Sequence, residues 1–153
     1  MLAVVPIPRV TDTEAFARAF APLCRAGDVV ALSGELGMGK TVFARALIRA
    51  LSGSELDVPS PTFTLTQYYP APTLGDICHA DLYRLEDESE AAELGIEEFP
   101  GLTLIEWPER MGRYLPSSSL RLSFLGEETR RIEIGGSENW RARLQNLSLD
   151  NRP

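Results

Sequence analysis

The chain has 153 residues, 44% hydrophobic and 24% charged, which is the size and balance of one globular domain and excludes global disorder. Fifteen basic against 22 acidic residues give a net charge of -7, so the chain lacks the basic footprint with which a domain grips nucleic acid by itself. Two cysteines, Cys24 and Cys78, exclude a disulfide scaffold and fit a reducing compartment, and no apolar run approaches the ~18 residues of a membrane span.

The segment from Met1 to Pro8 has no basic start and is interrupted by Pro6 and Pro8, so it is not a secretory signal; the expected location is cytoplasmic. Within it, Leu2 to Ile7 predicts a short edge strand, where prolines are tolerated. Thr11-x-x-Glu14 has the form of a capping box, and apolar residues follow at helical spacing from Ala15 to Cys24, with Pro22 kinking or ending the helix and Gly27 supplying a stop. Asp28 to Ser33 predicts a buried strand. After a glycine loop, Val42, Phe43, Ala46, Leu47, Ala50 and Leu51 repeat at helical spacing until Gly53. Strands are expected over 62–69, 76–83 and 102–106, then a hairpin of 120–125 and 130–134 around Gly126-Glu-Glu128, then a closing helix over 137–147. Residues 150–153 are expected to fray. The order predicts an α/β fold in a single domain over residues 1–153, a mixed central sheet flanked by helices.

Residues 34 to 41, Gly-Glu-Leu-Gly-Met-Gly-Lys-Thr, fit G-x4-G-K-[ST] and stand between a predicted strand and a predicted helix, the context a P-loop requires. Glycines remove Cβ atoms, so consecutive backbone N–H groups can turn inward to phosphate oxygens, and the following helix adds the positive end of its dipole. Lys40, the only lysine among 15 basic residues, supplies a point charge, and Thr41 a hydroxyl for Mg²⁺.

Such a loop needs a carboxylate at a neighbouring strand end to hold Mg²⁺ or orient water. Glu106 ends the apolar run Leu102-Thr-Leu-Ile, and Asp81 ends Ile77-Cys-His-Ala, so both are candidates. His79, the only histidine, is expected to be a satisfied, partly buried residue, because neighbouring Cys78 points to the opposite face of a strand and the spacing is unsuited to zinc. Trp107 is expected to serve as core or interface anchor. Residues 86–98 carry seven acids and no base, a solvated helix and loop or else a docking face for a basic partner.

These residues carry a specific likeness. Gly34-Glu-Leu-Gly-Met-Gly-Lys-Thr41, Ser60-Pro-Thr-Phe-Thr-Leu65, His79-Ala-Asp-Leu-Tyr-Arg-Leu85, Leu94-Gly-Ile-Glu-Glu98 and Leu104-Ile-Glu-Trp-Pro-Glu109 occur in the order found in the bacterial TsaE (YjeE) family, which the chain resembles from about Val4 to Leu147. The resemblance implies a P-loop NTPase fold and an ATPase that binds ATP or ADP with Mg²⁺ and serves the threonylcarbamoyladenosine modification of tRNA. It implies phosphate binding by Lys40 and the loop at Glu35, Gly37, Met38, Gly39, Thr41 and Val42, with Thr13 near the adenine. Thr41 and Glu106 match the family's Mg²⁺ positions, Asp81 its second functional carboxylate, and Trp107 the tryptophan beside the metal acid. Ser60 to Thr64 looks like a segment that switches with the γ-phosphate. The implied partners are TsaD-type and TsaB-type proteins, the former transferring the group to tRNA while the ATPase resets the complex; no stable direct tRNA binding and no membrane are expected.

Met38 stands where the family often has a small residue, and Val42 where it often has Thr or Ser; neither supplies an obligatory side chain, so altered loop packing is the expected consequence. Arg130 and Arg131 are both candidates to reach the nucleotide from the hairpin. Turnover by the chain alone is expected to be slow, since no internal arginine finger stands out. The alternative is a small-molecule kinase, which needs an arginine-bearing lid; between Lys40 and Glu106 the chain offers only Arg45, Arg49 and Arg84.

Overall fold

The apolar run that follows Gly27 forms strand β2 (Val29–Ser33), and it lies near the middle of a mixed sheet. The computed structural model describes residues 1–53, 57–59, 65–126 and 129–147. Among these the sheet has seven strands, in the order β1-β7-β6-β2-β5-β4-β3. The others are β1 (Ala3–Pro6), β3 (Thr66–Tyr69), β4 (Ile77–Asp81), β5 (Leu102–Glu106), β6 (Leu120–Leu125) and β7 (Arg131–Gly136). Strands β2, β4, β5 and β6 run parallel, while β3 and β7 lie antiparallel to β4 and β6. The proline-bearing β1 takes one edge, as expected, and the hairpin forms as expected. The expected tip of the hairpin at 127–128, the segment 60–64 and the end at 150–153 lie outside the described residues.

Among the described residues four α-helices accompany the sheet: α1 (Val10–Phe20), α2 (Lys40–Ser52), α3 (Glu88–Ala92) and α4 (Asn139–Leu144). The start of α1 differs from the expected Thr11–Glu14 box. The chain becomes helical at Val10, so the third helical residue is Asp12, and its carboxylate accepts from the Arg9 backbone N–H at 3.0 Å. Pro22 acts as anticipated: α1 stops at Phe20 and tightens into a 3₁₀ turn over Ala21–Leu23. The strand anticipated over 62–69 is seen as the four residues of β3, and the closing helix as the six of α4.

Both faces of the sheet are covered, which explains why its strands read as continuous apolar runs. Alternate residues serve alternate faces. Val30, Leu32, Ile77, Leu102 and Leu104 join a large core with α1 and α2, whereas Val29, Ala80, Ile105 and Leu82 join a second core with Ala91, Ile96 and Met111. A chain of rings fixes α2 in place: Phe43 lies 5.5 Å from Phe16 and 5.9 Å from Phe124 between ring centres, and Phe20 stacks on Trp140 at 5.6 Å. Burying each such ring stabilises the fold by about 1.5–3 kcal/mol. The acidic stretch 86–98 is an amphipathic cover: Asp87 caps α3 by accepting from the Ser89 N–H, Ala91 and Ile96 are buried, and most of its acids face solvent.

Candidate functional site

The site is built at the carboxyl edge of three parallel strands, where open α/β sheets offer a crevice. Register brings Glu106, the last residue of β5, beside Leu32 of β2 on one side and Asp81 of β4 on the other. Strand alternation then matters. Ile77 faces the core shared with α2, so His79 and Asp81 lie on that same face, and so does Glu106, in phase with Leu102 and Leu104.

From Ser33 the chain turns through residues 34–39 and enters α2 at Lys40. The first turn of α2 has no carbonyl four residues back inside the helix, so its N–H groups point out of the end as donors. Gly34 is required by space and by conformation: its φ is 140°, and a Cβ there would lie 2.6 Å from the Phe124 carbonyl oxygen. Gly39, at φ 108°, turns the chain into the helix.

Lys40 is 5% exposed, and its Nζ donates to the Gly34 carbonyl across the loop. The same Nζ lies 3.5 Å from the centre of the Trp107 ring. Burial pulls the pKa of Lys40 below the ordinary lysine range; the negative charges of Glu106, Glu109, Asp81 and Glu35 oppose that pull. Thr41 Oγ1 donates to Glu106 Oε1 at 3.0 Å, and His79 Nε2 lies 2.7 Å from Glu106 Oε2, so both oxygens of this buried carboxylate are engaged. Asp81 is half-buried, and burial raises its pKa above the ordinary carboxylate range; the Tyr83 N–H, which donates to Oδ1 at 3.0 Å, opposes the rise, and the nearby Glu106 charge adds to it.

Trp107 packs against the second core, as expected, but departs from the expectation in also meeting the site. Its backbone is left-handed (φ 60°, ψ 52°), a conformation costing a bulky residue about 1–2 kcal/mol, and it turns the ring over Lys40 and to within 5.1 Å of the Tyr83 ring. His79 departs from expectation as well: it is fully rather than partly buried, and its partner is the candidate site acid.

These groups line a cleft of about 450 Å³. Gly37, Gly39, Lys40, Thr41 and Val42 form one wall, Asp81, Glu106 and Trp107 another, and Val10, Leu36, Leu65 and Tyr83 add apolar surface. Thr13 is buried beside the loop, 3.8 Å from where a Gly39 Cβ would stand. Met38 packs against the main core, and Glu35 is exposed at the outer turn of the loop. Arg130 lines the cleft, and Arg131 pairs with Glu133 at 3.9 Å. Arg84 lines the cleft too, so two arginines stand where the sequence offered no evident finger.

Such a cleft can take a polyanion: inward N–H groups and one ammonium meet negative oxygens, and the apolar wall suits a flat ring. A divalent cation could be met by the Thr41 hydroxyl and Glu106. Among the described residues no group of three or more His, Cys, Asp or Glu side chains converges to hold a metal, so oxygens of a ligand would have to complete its shell.

The family model described as "Threonylcarbamoyl adenosine biosynthesis protein TsaE" matches residues 7–133. The tRNA threonylcarbamoyladenosine biosynthesis protein TsaE of Rickettsia bellii is 41% identical over 127 residues, covering 80% of this chain and 88% of its own length. The protein of the same name from Bacillus subtilis is 36% identical over 126 residues, covering 79% and 77%. Among solved structures, the crystal structure of Bacillus subtilis YdiB superposes with a TM-score of 0.75 at 24% identity, covering 98% of this chain and 96% of that one, a likeness of fold.

Proposed function

The chain belongs to the TsaE family of tRNA threonylcarbamoyladenosine biosynthesis proteins, and on that premise we propose that it binds ATP and ADP with Mg²⁺, hydrolyses ATP slowly, and acts on a complex of TsaB-type and TsaD-type proteins. The observation that carries this reading is the convergence of Lys40, Thr41 and Glu106 at the mouth of a glycine loop: a nearly buried ammonium and a carboxylate bonded to the helix's hydroxyl residue.

The residues fit a Mg²⁺-nucleotide in their chemistry. A buried ammonium that is harder to charge than a free lysine gains most from an incoming anion. Lys40 and the N–H groups of the loop and first turn of α2 bind phosphate oxygens and fix their orientation. Thr41 and Glu106 would hold Mg²⁺, which when bound neutralises phosphate charge. Asp81, whose pKa burial has raised, would then accept a proton from the attacking water in this reading. Trp107 shields Lys40 from solvent, so its charge acts through a lower dielectric. Val10, Leu36 and Tyr83 leave an exposed apolar rim around the cleft. A partner seated on that rim would close the cleft to bulk solvent around the attacking water, which supports faster turnover in the complex than alone.

The test is ATP turnover by the chain alone and with TsaB-type and TsaD-type proteins. A several-fold rise with the partners is expected, and equal rates would refute the coupling. Calorimetry that found no association of ATP or ADP in the presence of Mg²⁺ would overturn the whole reading.

A further inference from the structure

Among the described residues Glu106 makes two side-chain hydrogen bonds, and one of them belongs to the loop helix. Thr41 approaches Oε1; His79 lies against Oε2 at 2.7 Å from the neighbouring strand β4. Both members of the second pair are buried, His79 with no exposed surface and Glu106 with 2%. A carboxylate only accepts, so the hydrogen of this contact sits on Nε2. The other ring nitrogen, Nδ1, has no hydrogen-bond partner among the described residues. Among the described residues, then, the hydrogen bond of this buried ring is the one to Glu106.

The geometry leaves the carboxylate little freedom. One oxygen is tied to α2 and the other to β4, while its backbone is fixed in β5 between β2 and β4. Removing the Thr41 contact, as a cation taken up by that hydroxyl would, leaves His79 as the group that keeps the carboxylate facing the cleft. Strand register makes this possible: His79 lies opposite Leu104, two residues before Glu106 on the same face.

We propose that His79 is a positioning residue, which donates through Nε2 to Glu106 and so presents the other carboxylate oxygen to a divalent cation bound with the nucleotide. The proposal rests on the reading of Glu106 as the Mg²⁺ acid. Partners that orient a ligand in this way typically change metal affinity by about 10–100-fold when removed.

The experiment compares ADP affinity by calorimetry with Mg²⁺ and with a chelator, in the full chain and in two variants. Gln at position 79 can carry an N–H to roughly the place of Nε2, and Asn, one methylene shorter, cannot. H79N is expected to lose about tenfold of the Mg²⁺-dependent gain in affinity, with affinity in chelator unchanged, and H79Q to stay within about threefold of the parent. Equal losses in both variants, or no loss in either, would overturn the positioning role. Should thermal unfolding show that H79N is not folded, H79L takes its place under the same expectation. A parent chain that binds ADP with no gain from Mg²⁺ would remove the reading of Glu106, and this inference with it; a clear gain that ignores both variants would remove only the inference.

Discussion

The ammonium of Lys40 lies on the face of Trp107, 3.5 Å from the ring centre, and the ring is held there by a left-handed backbone that an indole side chain rarely adopts. A nucleotide that draws the ammonium toward phosphate must change the field at that ring. The chain's other tryptophan, Trp140, is buried against Phe20 in the core and is far less affected. Titration with ADP is therefore expected to change tryptophan emission, and the change should vanish in Trp107→Phe. A response of the same size in that variant would show that the signal does not arise from this contact.

Lys40 is expected to cost the fold stability. Burial lowers its pKa below the ordinary value of 10.5, which means that the charged form is less favourable in the folded chain than in the unfolded one. The sign follows: the cost is full below the folded pKa and fades as pH rises from there toward 10.5. Lys40→Met should thus raise Tm at pH 7 by about 1–4 °C, and the gain should shrink at alkaline pH. Nucleotide affinity should fall by about 10–100-fold in the same variant, as expected for the loss of a charged hydrogen-bonding partner. A variant that loses both affinity and Tm would mean that the gap left by the side chain outweighs relief of the buried charge.

How much of this site could be seen in the sequence depends on how local each feature is. The loop and its helix follow from spacing within residues 34–52, and Glu106 from an apolar run that ends in an acid. The contact between His79 and Glu106, 27 residues apart, was not legible, because it depends on the register of two strands. The role of Trp107 depends on one left-handed residue, which no hydrophobic pattern encodes. Arg130 and Arg131 are alike in sequence, and only the start of β7 separates them, leaving Arg130 at the cleft and Arg131 beside Glu133. The Thr11–Glu14 box failed for a similar reason: a helix whose cap lies two residues earlier, at Arg9, changes which acid can reach the first turn.

Asp81 is expected to show opposite effects on stability and turnover. Its pKa is raised first by burial, so the ionised form is disfavoured in the folded chain; that cost is absent below the ordinary value of 3.8 and full above the raised folded value. Asp81→Asn keeps an oxygen for the Tyr83 N–H and removes the charge. Its Tm at pH 7 should equal or exceed the parent's by up to about 3 °C, with the difference gone near pH 4. ATP turnover should fall by about 10²–10⁴-fold if the carboxylate accepts a proton in the reaction. Thermal scans at both pH values and a steady-state ATPase assay check the two halves separately, and undiminished turnover would free Asp81 of that role.

The first two glycines of the loop should fail in different ways when replaced by alanine. At Gly34 a Cβ would stand 2.6 Å from the Phe124 carbonyl oxygen, on backbone of β6, at a φ of 140°. Neither backbone can yield without disturbing the sheet. Strain and overpacking together should cost about 2–4 kcal/mol, which lowers Tm by about 5–15 °C. At Gly37, with φ 80°, a Cβ meets nothing within 4 Å, and the cost is that of the left-handed conformation, about 1 kcal/mol. Gly37 lines the cleft, however, so a methyl group there adds bulk to the loop that would receive phosphate oxygens. Gly37→Ala should stay folded and bind nucleotide at least about tenfold more weakly, while Gly34→Ala should be chiefly a folding variant. Thermal unfolding and ADP calorimetry on both proteins separate the cases, and equal Tm losses would show that Gly34 is not held by its contact with Phe124.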